Sequence, residues 1–132
     1  MLEPKLRFVT LKAIKELTED LNLTYELDDF QDWEYIVGKP IDIEKYINHY
    51  NIEIDEDKRF ALMEIIIQAT VDQPTIENFK KYSATVEKLL IENFQLHAYT
   101  IFYWSCFDNE NIEDCWKITP NMRKLWKQLN IG

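Results

Sequence analysis

The 132-residue chain carries 24 acidic residues against 15 Lys and Arg, giving a formal net charge of −9, and 46% of its residues are hydrophobic. That much apolar material suffices for one compact domain, 1–132, with a true core. The charge excludes direct binding of nucleic acid, which needs Lys and Arg to displace counterions, and of an anionic membrane surface.

No apolar run reaches the roughly 18 residues of a membrane span. The opening Met1-Leu2-Glu3-Pro4-Lys5-Leu6-Arg7 lacks the apolar core of a secretory signal, so a cytoplasmic location is expected. Cys106 and Cys115 are the two cysteines, and a chain with this much apolar content needs no disulfide. They are read as reduced thiols.

Gly38 and Gly132 are the only glycines, which starves hairpin turns of residues that accept positive φ. An all-α fold follows, one compact multi-helix bundle of seven or eight helices. Thr10 is placed to cap a first helix with Leu11, Ile14, Leu17 and Leu21 on one stripe. The acidic stretch follows as a loop. Asp29 or Asp32 then opens a short helix with Phe30, Trp33, Tyr35, Ile36 and Val37, and Gly38 suits its C-terminal end.

Asp42 is expected to cap a helix presenting Ile43, Tyr46, Ile47 and Tyr50. Asp55, Glu56 and Asp57 stand where carboxylates favour a helix N-terminus, and the helix they open, Glu56 to Val71, is apolar nearly all round its second half. It is the expected central helix, ended by Pro74.

Thr75 then caps a segment from Ile76 to Asn93, with an interruption expected near Ser83. Leu96 to Phe107 reads as an aromatic-rich helix, Asn111 as the start of a short turn, and Thr119-Pro120 as the cap and first residue of a last helix with Met122, Leu125, Trp126 and Leu129. Ile52-Glu53-Ile54 and Tyr99 to Tyr103 favour β-structure enough to leave room for a minor strand pair.

Catalytic hardware is sparse. His97, Cys106 and Cys115 are spaced by nine, whereas a structural zinc site wants four ligands in close pairs, so no metal and no cofactor is expected. The apolar neighbours of Cys106 would raise its pKa rather than activate it. Asp28 to Glu34 lacks the glycine and final glutamate of a calcium loop. On a helix, Tyr99, Phe102, Tyr103 and Cys106 share one face and Ile101, Trp104 and Ser105 another. That stretch is either core or a set of binding anchors, and both uses are compatible.

The distribution of charge is more informative. Glu19 to Glu34 holds seven carboxylates (Glu19, Asp20, Glu26, Asp28, Asp29, Asp32 and Glu34) and no Lys or Arg. Like charges held this close repel one another, and an incoming cation relieves the repulsion. Glu53, Asp55, Glu56 and Asp57 form a second block, and Asp108, Glu110, Glu113 and Asp114 a third, while both ends of the chain are basic.

A short, acidic, mostly helical chain with Trp and Tyr among its carboxylates resembles the immunity proteins of bacterial toxin systems, including contact-dependent growth inhibition. The segments Asp32-Trp33-Glu34-Tyr35, His97 to Ser105 and Trp116-Lys117-Ile118-Thr119-Pro120 look like those of small bacterial proteins of similar length. The resemblance implies a cognate toxin domain as partner. Many such toxins are nucleases with basic active sites that an acidic protein can occupy.

The expectation is therefore a binding protein, not an enzyme, that neutralises a basic protein partner. Asp28, Asp29, Asp32 and Glu34 would supply charge, with Trp33 and Tyr35 as anchors. Asp108, Glu110, Glu113 and Asp114 form a second candidate surface. The alternatives are a small enzyme or enzyme subunit using His97 with a nearby carboxylate, and a structural adaptor.

Overall fold

The computed structural model describes residues 3–23 and 32–129. Among these the chain is all-α: α1 (Leu11–Leu21), α2 (Trp33–Ile36), α3 (Ile43–Ile52), α4 (Glu56–Val71), α5 (Ile76–Glu92), α6 (Phe94–Ser105) and α7 (Thr119–Leu129). No strand occurs among the described residues, so the minor strand pair is not found. Ile52 closes α3 and Tyr99 to Tyr103 lie within α6, where helical packing overrides their β preference. No helix among the described residues is long and apolar enough to cross a membrane.

The chain groups into two compact units. Phe8–Ile76 make one; the residues up to Arg7, with those from Glu77 onward, make the other.

In the Phe8–Ile76 unit, Thr10 is extended and its hydroxyl accepts a bond from the Ala13 N–H at 3.1 Å, which starts α1. Ala13, Ile14, Leu17 and Leu21 are buried, as the stripe requires, and Asn22 ends the helix in a left-handed conformation with φ 53°. Asp55 caps α4 by accepting from the Lys58 N–H at 3.0 Å. Every residue from Phe60 to Ile67 is buried, and α1, α2 and α3 all pack against α4. The helix expected to be central is therefore central to its unit.

Two local expectations in this unit need correction. Gly38 does not adopt a positive φ at the end of α2. A Cβ there would stand 3.0 Å from the Ile65 carbonyl oxygen, so glycine is needed because the chain passes close to the backbone of α4. Asp42 makes no side-chain capping bond; Pro40–Asp42 form a 3-10 turn that runs directly into α3. The Gln73 amide ties that turn down, donating to the Pro40 carbonyl and to the Ala69 carbonyl, each at 3.0 Å.

In the other unit, α5 runs unbroken through Ser83, which is buried in mid-helix rather than serving as a second cap. Helix α6 packs on α7, with Ile101 and Trp104 buried on one side and Met122, Leu125 and Trp126 on the other. Thr119 is the first residue of α7, not its cap. Its hydroxyl donates to the Trp104 carbonyl at 2.9 Å and accepts from the Trp116 N–H at 3.2 Å, tying the start of α7 to α6.

Candidate functional site

Helix α6 divides its aromatic residues as its periodicity requires. Ile101, Trp104 and Ser105 are buried, whereas Tyr99, Phe102 and Cys106 are half-buried and Tyr103 is exposed. This second face lines a cavity of about 600 Å³ together with Glu3, Phe107, Asp108 and Trp116. The rings support one another: Tyr103 stacks on Trp116 with centroids 5.3 Å apart, Trp116 lies 4.7 Å from Trp104, and Phe102 lies 5.5 Å from Trp126. Such tilted and offset pairs are the favoured aromatic geometry.

The connection leaving this wall is held by Arg123. Its guanidinium donates to the carbonyls of Ser105 at 2.7 Å, Cys106 at 2.8 Å and Asn109 at 3.1 Å, satisfying the C-terminal end of α6. Cys106 itself turns the chain in a left-handed conformation, φ 55°. Asn109 then accepts from the Asn111 N–H at 2.9 Å, and Asn111 from the Glu113 N–H at 3.2 Å, which opens a 3-10 turn over Ile112–Asp114. Asp108, Glu110, Glu113 and Asp114 are all exposed along this ordered connection, and none is ion-paired among the described residues. An aromatic cavity with Asp108 and Glu3 on its walls suits a cation.

The connection also brings the two cysteines together. Cys115 Sγ lies 2.7 Å from Cys106 Sγ, and both are half-exposed thiols. The hydrogen-bonded Cys115 thiol, then burial, push the Cys106 thiol up to about 11. The sequence suggested burial alone as the cause. His97 is fully buried and joins no three-donor group with these sulfurs.

The first acidic block is placed differently. Asp28 and Asp29 lie outside the described residues. Asp32 is exposed, but Trp33 is fully buried beneath α2 and cannot present its ring as an anchor. Because α2 lies against α4, this indole belongs to the core. Glu34 is only 8% exposed, which removes it from any charged surface. Burial pushes its carboxyl up to about 7; a hydrogen bond to its own backbone opposes this, and the charges of Glu64 and Asp32 add to it. Tyr35 is half-buried, and its hydroxyl donates to Glu64 Oε2 at 3.4 Å.

The Asp20, His49 and Glu53 side chains form the one group of three potential metal donors among the described residues. A protein cation already serves them. Lys58 Nζ lies 2.6 Å from Asp20, 3.0 Å from Glu53 and 3.7 Å from Glu16, while His49 Nε2 lies 3.0 Å from Glu53. Burial works against the ammonium, but its bonds to Asp20 and Glu53 hold it well above the ordinary lysine pKa. Glu53 is held low, because the bonds from Lys58, the Asp55 N–H and His49 outweigh its burial. This cluster joins α1, the end of α3 and the start of α4.

No protein-family model, curated protein or solved structure matches this chain.

Proposed function

We propose that the chain is a protein-binding module that holds a basic protein partner through the acidic connection after α6 and the aromatic cavity beside it. The observation that carries this reading is the continuity of the two features. Asp108 belongs to the cavity wall, and Glu110, Glu113 and Asp114 extend from it as exposed, unpaired carboxylates. Long-range attraction to such a surface speeds encounter, while rings such as Tyr103 and Trp116 hold a bound cationic side chain and slow its release.

Within that class we propose an immunity role, on the resemblance of this short, acidic, aromatic-bearing helical chain to immunity proteins. The partner would be a cognate toxin domain, most simply a nuclease whose basic active site the acidic connection covers. The residues assigned to the interface are Asp108, Glu110, Glu113 and Asp114 with the cavity rings, in place of Trp33 and Glu34.

The test uses the domain encoded immediately upstream of this chain's gene. Co-expression should relieve that domain's toxicity. Stopped-flow association with the purified domain should slow on the order of tenfold in D108N/E110Q/E113Q/D114N, with a flatter salt dependence and unchanged helicity. An upstream product that is harmless alone would overturn the immunity reading, and association unchanged in the fourfold variant would overturn the surface.

A further inference from the structure

We propose that Cys106 and Cys115 form a reversible dithiol–disulfide pair that low-molecular-weight disulfides oxidise, closing the acidic connection into a covalent ring. The two sulfurs already stand 2.7 Å apart, so bond formation at about 2.05 Å needs only a small further approach. Their backbones are fixed independently of any bond. Cys106 reverses the chain in its left-handed conformation with its carbonyl held by Arg123 at 2.8 Å, and the Cys115 N–H closes the 3-10 turn on the Ile112 carbonyl at 3.1 Å. Both side chains are half-exposed, so a small disulfide can reach them.

The chemistry is ordinary thiol–disulfide exchange. The Cys115 thiolate attacks one sulfur of oxidised glutathione; a Cys115–glutathione bond forms, the glutathione S–S bond breaks, and one glutathione thiolate leaves. Cys106 then gives up its proton to solvent, and its thiolate attacks Cys115 Sγ. The Cys106–Cys115 bond forms and the second glutathione leaves. The protein loses two electrons and two protons, and one oxidised glutathione becomes two reduced ones.

Cys115 is assigned the first attack on two grounds. The Arg123 guanidinium stands 3.9 Å from its sulfur, and the hydrogen-bonded Cys115 thiol and burial hold Cys106 above the ordinary thiol range. The ring encloses Asp108, Glu110, Glu113 and Asp114, so its closure restricts the carboxylates assigned to partner binding. The redox chemistry does not depend on that assignment.

The experiment equilibrates the purified chain in mixtures of oxidised and reduced glutathione, alkylates the free thiols with iodoacetamide and measures intact mass. The expected product in an oxidising mixture is a monomer lighter by two hydrogens, without glutathione or alkyl adducts, which reverts in excess reduced glutathione. C106S should accumulate a glutathione adduct at Cys115. C115S should react at least tenfold more slowly. Stable glutathione adducts, covalent dimers or two alkylated cysteines in the oxidised wild type would overturn the pair. Equal rates for the two variants would overturn the assignment of Cys115 as the attacking thiol.

Discussion

Glu34 makes the stability of this protein fall as pH rises through neutrality. Its carboxyl has an ordinary pKa of 4.5 and is pushed up to about 7 in the folded chain, chiefly by burial. The unfolded chain therefore releases this proton first. Between these two values the folded state binds more protons, so stability is greatest at the acid end of the window and is lost as pH rises. Integrating one such site from pH 5.5 to pH 8 gives a loss of about 2 kcal/mol. The side chain is only 8% exposed, so solvent screening does little to reduce that figure. The assay is urea denaturation followed by far-UV circular dichroism at both pH values, for wild type and E34Q. Glutamine keeps the shape and cannot ionise, so the difference between the two proteins isolates this carboxyl from every other titrating group. Parallel changes in the two proteins would refute the argument and leave the Glu34 carboxylate solvated or paired.

Replacing Lys58 with Met should cost about 3 kcal/mol in urea denaturation, because it strands Glu53, whose side chain is 9% exposed, without its cation. D20N should cost no more than about 1 kcal/mol, since that partner is 35% exposed; equal losses would show that Lys58 does not act as the hub. Gly38→Ala should destabilise by about 1–3 kcal/mol, as its Cβ meets the Ile65 carbonyl oxygen at 3.0 Å, a backbone atom that cannot swing aside. An unchanged urea midpoint would put the close approach in doubt. The oxidised Cys106–Cys115 form should be more stable than the reduced form by roughly 2–3 kcal/mol, the chain-entropy value for so short a ring. A lower melting temperature after oxidation would mean that the ring distorts the native connection.

Helix order was legible because its signals are local. Thr10 and Asp55 carry the oxygen that accepts the first free N–H, and each precedes a run with helical apolar spacing. The division of α6 into a core face and a cavity face follows from the same periodicity. What escaped the sequence depends on residues far apart in the chain. Trp33 stands among carboxylates and looks like a surface anchor, yet α4 covers it. Gly38 looks like a helix terminator, and only the position of Ile65 shows why it is glycine. Glu3 on the cavity wall carries no signal at all. Nothing in a spacing of nine says that Cys106 and Cys115 meet. That depends on a non-glycine residue turning left-handed, held there by an arginine that composition assigns only to a basic terminus.

The acidic excess consists of groups with unlike roles. Glu34 and Glu64 are withdrawn from solvent, and burial favours the uncharged form of Glu34. Glu16, Asp20 and Glu53 share Lys58, whose single positive charge offsets part of theirs. Both sets contribute less to the field outside the protein than bare carboxylates do, and what remains is screened over a Debye length, about 8 Å at physiological ionic strength. Asp108, Glu110, Glu113 and Asp114 differ in being exposed and unpaired on a connection whose backbone is already ordered by Arg123, Asn109 and Asn111. A cation binding there meets a pre-formed surface and so loses little affinity to ordering it. The separation between buried, paired and bare carboxylates, rather than the net charge of −9, is what makes the connection after α6 the place to look for a partner.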